Sequence, residues 1–170
     1  MAQRPARAGV GTIAPMQPRT DSFCANPAMR TQWYVVADSA DVADAPVGVT
    51  VLGETFVLWR GTGGELSAAP DRCPHREAPL SQGGVTDGCL VCPYHAWTYD
   101  LGGGLVAARH TSHLPDFELG EICLDEVQVE EFGGFVYVNL DLTALSLAEQ
   151  AGDLGQEIAH WVPDIDQLTF

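Results

Sequence analysis

Two short stretches constrain this chain more than anything else in it: Cys73-Pro74-His75 and Cys92-Pro93-Tyr94-His95, with sixteen residues between His75 and Cys92. Each offers one thiol and one imidazole, side chains that ligate metals once deprotonated. A proline between the ligands removes backbone freedom, so each loop presents its pair with less chain entropy lost on binding. Two such loops flanked by strands amount to a preorganised site.

Two cysteines and two histidines could hold a tetrahedral zinc ion. Zinc modules usually pair cysteine with cysteine and histidine with histidine, however, whereas here cysteine precedes histidine in both loops. Interleaving suits a binuclear cluster. In a [2Fe–2S] centre of the Rieske type, Cys73 and Cys92 would hold one iron and His75 and His95 the other, so that each loop bridges both metals. Two ferric ions, two sulfides and two thiolates sum to zero charge, and an electron enters a neutral cluster more readily than one already made doubly negative by four thiolates. His-ligated clusters accordingly lie at about −150 to +300 mV against about −400 mV for the plant type.

The surroundings read as β structure. Residues 33–37, 47–52, 55–60, 66–69, 89–91, 97–99, 121–124 and 135–140 are short apolar runs punctuated by turn residues: Leu52-Gly53-Glu54, Gly61-Thr62-Gly63-Gly64, Asp87-Gly88 and Gly102-Gly103-Gly104. A mostly antiparallel β domain is expected over residues 31–142. Ser146-Leu-Ala-Glu149 is a capping box, and Leu147, Ala151, Leu154, Ile158 and Trp161 share one face of a helix that Pro163 closes. Gly152 and Gly155 weaken that helix by about 1 kcal/mol each, so packing must hold it.

With 170 residues and 46% apolar content the chain supports one core without disulfide staples. Residues 1–30 carry Arg4, Arg7, Arg19 and Arg30 against Asp21 alone, are rich in alanine and contain four prolines, and are expected to form a flexible arm. A transit peptide shares this composition, but the prolines oppose a sustained amphipathic helix. The net charge of −15 makes nucleic acid a poor partner. No apolar run suits a signal peptide or a membrane span, and five cysteines without regular spacing suggest a reducing compartment, the cytosol.

Cys-Pro-His-Arg followed by Cys-Pro-Tyr-His-x-Trp-x-Tyr-Asp resembles the Rieske [2Fe-2S] domain of Rieske non-haem iron oxygenase α subunits, the aromatic-ring-hydroxylating monooxygenases and dioxygenases. The resemblance runs from Gln32 to Asp141, including Trp33-Tyr34 and the closing run Gly133 to Asp141. It implies that Cys73, His75, Cys92 and His95 are the cluster ligands, one cluster per chain. Respiratory Rieske proteins carry a further cysteine in each loop, joined as a disulfide; Ala78 and Tyr94 stand there here, which favours the oxygenase branch. Relatives often have glycine where this chain has Glu77 and Ala96. Glu77 is expected to face solvent, Arg76 to bind a carboxylate or loop carbonyl, and Trp97 and Tyr94 to cover the cluster. Cys89 reads as a small buried strand residue, Cys24 and Cys123 as inert thiols, His110 and His113 as surface residues, and His160 as a complement to its helix dipole.

An oxygenase also needs a mononuclear iron held by two histidines and a carboxylate. Only His160 follows Asp141, so residues 143–170 are expected to be a helix and the start of a catalytic domain lying outside this chain. The resemblance implies one-electron transfer from a reductase or ferredoxin to that iron, within a possible homo-oligomer. A stand-alone Rieske ferredoxin and a zinc-stabilised interaction module are the alternatives. The thirteen acidic and no basic residues beyond Arg109 suit steering of a basic partner to the C-terminal face.

Overall fold

Residues 26–109, 111 and 117–165 are described by a computed structural model. Its strands are β1 (Tyr34–Asp38), β2 (Val47–Val51), β3 (Glu54–Arg60), β4 (Leu66–Pro70), β5 (Gly84–Thr86), β6 (Cys89–Val91), β7 (Thr98–Tyr99), β8 (Leu105–Ala107), β9 (Gln128–Phe132) and β10 (Phe135–Asn139). They form three antiparallel sheets in the orders β1-β10-β9, β2-β3-β4 and β5-β6-β7-β8. The expected mostly antiparallel β fold is what the chain adopts.

The middle sheet divides two cores, and the two-residue period of a strand explains how. Along β3, Phe56 and Leu58 enter one core while Val57 and Trp59 enter the other. On β4, Ala68 and Ala69 make the same division. The first core joins this sheet to β10 through Val136 and Val138. The second joins it to β6, β7 and β8 through Leu90, Tyr99 and Leu105, and it also contains Cys73 and Cys92. Asp87 and Gly88, at φ 51° and 75°, make the tight hairpin between β5 and β6 that their sequence announced.

Several expectations need correction. Residues 121–124 are not a strand; a single bridge pairs Cys123 with Gly104. The short strands β5 and β8, and the acidic β9, lie where no strand was expected. The last helix is two: Ser146 and Glu149 make the reciprocal cap of α2 (Leu147–Ala151), the chain turns at Gly152 with φ 54°, and α3 (Leu154–Trp161) follows. Gly155 faces Phe132, where an added Cβ would lie 3.3 Å from the ring, so α3 rests on the β9–β10 hairpin. Leu154 and Trp161 are 51% and 79% exposed, so the apolar stripe is only partly covered. Within the expected arm, Pro27–Arg30 forms one helical turn, α1, capped by Asn26, and Arg30 pairs with Glu54. Among the described residues no helix is long and apolar enough to cross a membrane.

Candidate metal centre

Both Cys-His loops use one backbone device. The Cys73 amide donates to the Ala78 carbonyl (2.9 Å) and the Glu77 amide to the Cys73 carbonyl (2.8 Å). In the second loop the Cys92 amide donates to Trp97 (2.8 Å) and the Ala96 amide to Cys92 (3.1 Å). Each loop thus closes on its cysteine, with Pro74 or Pro93 stiffening the first step. The first follows β4 and the second joins β6 to β7, so the sheets set their separation. The cysteines point into the core, 1% and 3% exposed. On the crown His75 is exposed and His95 half-buried.

The four side chains sort by type. The imidazoles of His75 and His95 lie 4.7 Å apart between ring centroids. At the foot of the loops, Cys73 accepts or donates a 3.1 Å hydrogen bond with the Tyr99 hydroxyl. Burial pushes the Cys73 thiol up, the Tyr99 bond opposes this, and the neighbouring Cys92 adds to the rise. Burial pushes the Tyr99 phenol well above its ordinary range, so it remains a hydrogen-bond donor. His75 is shifted down by desolvation and then by His95 and Arg76, which favours the neutral, metal-binding imidazole.

Aromatic rings back both imidazoles. Trp97 stacks on His75 with centroids 4.4 Å apart and planes 3° from parallel, and Phe117 meets Trp97 edge-on at 5.8 Å. Tyr94 stacks on His95 at 3.8 Å and 28°. Trp97 is buried as a cover should be, whereas Tyr94 is 62% exposed.

A [2Fe–2S] cluster fits these donors. Nδ1 of His95 is buried and has no partner among the described residues, a costly state unless something occupies it. Thiol beside thiol and imidazole beside imidazole is the pairing a binuclear centre asks for.

Other residues singled out in the sequence lie apart from these donors or do something different. Glu77 faces solvent as expected, 3.5 Å from Arg72. Arg76 is exposed and makes no hydrogen bond among the described residues, contrary to the expected anchoring. Cys89 is half-buried on β6 and Cys123 exposed, and all the described cysteines are free thiols. His160 is exposed in the last turn of α3. His110, His113 and Cys24 lie outside the described residues. Sequence reasoning overlooked Tyr99 as a partner of Cys73; its signal was the alternation that turns both Trp97 and Tyr99 inward. Phe117 carried no comparable signal.

Comparison with known proteins agrees with the geometry. The Rieske [2Fe-2S] domain family matches residues 32–118. The chain is 37% identical over 141 residues to the carnitine monooxygenase oxygenase subunit of Escherichia coli K12, covering 81% of this chain and 38% of that protein. It is 37% identical over 110 residues to the vanillate O-demethylase oxygenase subunit of a Pseudomonas species, covering 64% of this chain and 29% of that one. Among solved structures, the apo form of a quaternary ammonium Rieske monooxygenase superposes with a TM-score of 0.69 at 30% identity, over 83% of this chain and 42% of that one. The chain therefore spans well under half the length of these relatives, and over the part they share it belongs to the Rieske [2Fe-2S] domain family.

Proposed function

We propose that this chain is the electron-transfer domain of a Rieske non-haem iron oxygenase, with Cys73 and Cys92 on one iron of its cluster and His75 and His95 on the other. Held by these residues, the cluster would supply one-electron transfer between a reductase or ferredoxin and a mononuclear iron held by polypeptide outside these 170 residues. The observation that carries this reading is the segregation of donors, with free thiols in the core and imidazoles 4.7 Å apart on the crown.

The chain's own residues divide the work. Cys73 and Cys92 would hold the metal from within an apolar core. The histidines lie on the crown, the side open to an approaching partner. Tyr99 donates to the Cys73 sulfur and stabilises negative charge there. Residues 31–142 form this domain, and residues 143–170 lead into the catalytic polypeptide. Substrate is chosen beside the mononuclear iron; carnitine and vanillate belong to the relatives named above, and the chain's similarity to both supports an oxygenase rather than one substrate. The cysteine pattern supports a cytosolic setting.

Metal and sulfide analysis of the purified chain tests the reading. Two irons and two acid-labile sulfides per chain are expected, with visible absorption lost in Cys73→Ser and Cys92→Ser. Zinc without colour, or full absorption in either variant, overturns it.

A further inference from the structure

We propose that Trp97 is a positioning residue for His75, holding the plane of that imidazole from the opposite loop; the proposal rests on the reading of His75 as a cluster ligand. His75 is exposed, and its ring makes no hydrogen bond among the described residues. A single residue separates it from Cys73, so the backbone fixes where the side chain starts but not how the ring turns about its own bonds. The indole of Trp97 supplies the missing restraint, lying 3° from parallel with the imidazole at 4.4 Å.

Trp97 is able to impose an orientation because it is itself held. It is 6% exposed, its carbonyl accepts from the Cys92 amide at 2.8 Å, and Phe117 braces its edge at 5.8 Å and 61°. The lone pair of a ligating imidazole nitrogen lies in the ring plane, so fixing the plane restricts the direction of the metal bond.

The second imidazole is treated differently. His95 has a buried Nδ1, and the ring stacked on it, Tyr94, is 62% exposed and tilted by 28°. One histidine is thus held by a buried, braced ring and the other by a ring at the surface. The two ligands on one iron are inequivalent by construction, and Trp97 is the source of the order at His75.

Pulsed EPR of the reduced chain, which resolves the nitrogen couplings of the two ligating imidazoles, tests this without any turnover assay. Trp97→Leu should shift or broaden one coupling and leave the other in place, with iron and sulfide still at two each. Trp97→Phe, which keeps a ring, should restore the altered coupling, and Tyr94→Leu should leave it untouched. Unchanged couplings in Trp97→Leu, or equal changes in both that Phe does not reverse, overturn the proposal. If Trp97→Leu fails to assemble a cluster, Phe117→Leu removes only the brace and must move the same coupling; no movement there overturns the proposal. A wild-type chain without iron and sulfide overturns the ligand assignment, and the proposal with it.

Discussion

Glu77 and Ala96 hold equivalent places in their two loops: each is four residues after its cysteine, donates its amide to that cysteine's carbonyl, and sits in the left-handed region at φ 56° and 53°. Side chains with a Cβ lose about 1–2 kcal/mol in that region, which is why glycine suits it. Part of the gain from installing glycine is offset by about 0.4–1 kcal/mol of extra chain entropy in the unfolded state. Ala96→Gly should therefore stabilise the chain by about 0.5 kcal/mol, and Glu77→Gly similarly, since its contact with Arg72 is exposed on both sides. Urea denaturation checks both, and a loss of stability in both would show that the loops tolerate the strain by other means.

Gly83 is required for a different reason. Its φ of −87° is not left-handed, but a Cβ there would lie 2.0 Å from the Val91 carbonyl oxygen. Val91 is the residue before Cys92 and pairs with Gly84 across β5 and β6. Backbone cannot yield as a side chain can, so Gly83→Ala should cost about 2–3 kcal/mol by overpacking. The displaced strand carries Cys92 with it, so cluster occupancy, read as visible absorption per chain, should fall together with the denaturation midpoint.

Tyr99→Phe removes the hydroxyl beside Cys73 without changing the volume of the core. A hydrogen bond to a thiolate favours the more negative, reduced cluster, so its loss should lower the reduction potential. A charge-assisted bond contributes about 1.5–3 kcal/mol to the state it favours most and part of that to the other. A difference of about 1–2 kcal/mol corresponds to about 40–90 mV for a one-electron couple. Voltammetry should show this drop with iron content unchanged. Because burial keeps the phenol protonated, the drop should not depend on pH near neutrality.

The centre was far more legible than the frame around it. Cysteine, proline and histidine at fixed spacing are visible as letters, and so were the turns at Leu52-Gly53 and Asp87-Gly88, because their backbone needs particular residues. Strand β9, Gln-Val-Glu-Glu-Phe, hid because its pairing with β10 outweighs a charged, weakly alternating pattern. β5 and β8, three residues each, are too short for a period to show. The aromatic backing was partly visible: Trp97 and Tyr94 stood out, but that Trp97 serves the histidine of the other loop depends on sheet geometry no local spacing encodes.

Arg60 joins three segments through one guanidinium. It donates to the carbonyls of Val42 (2.6 Å) and Gly64 (2.8 Å) and to the Glu131 carboxylate (2.9 Å), which Ser39 also contacts. Desolvation pushes the Glu131 carboxyl up, but the bonds from Ser39 and Arg60 and the charge of Arg60 together outweigh it and hold it below its ordinary value of 4.5. A depressed carboxylate contributes stability above its unfolded pKa and loses it as pH falls through the folded one. Glu131→Gln should therefore be less stable than the wild type at pH 7, with the gap closing on acidification below pH about 4. Arg60→Ala should cost about 2 kcal/mol even in acid, because it strands the buried Val42 carbonyl, and more at pH 7, where it also leaves the Glu131 carboxylate without its cation.

Trp161 tests the reading of the C-terminal helices. Spacing alone aligned it with Leu154 and Ile158 as a face to be packed, yet it is 79% exposed, while Gly155 takes the place against Phe132. Trp161→Ala should change stability by no more than about 0.5 kcal/mol, as at other solvated positions. Trp59, at 0% exposure on β3 and within the cluster-side core, should lose about 3–5 kcal/mol on the same change. Tryptophan emission adds a second readout: Trp161→Ala should remove the most red-shifted component, the one reporting on a ring in water. A cost above about 1 kcal/mol at Trp161 would mean that this ring is covered in the isolated chain, by the chain itself or by another copy of it.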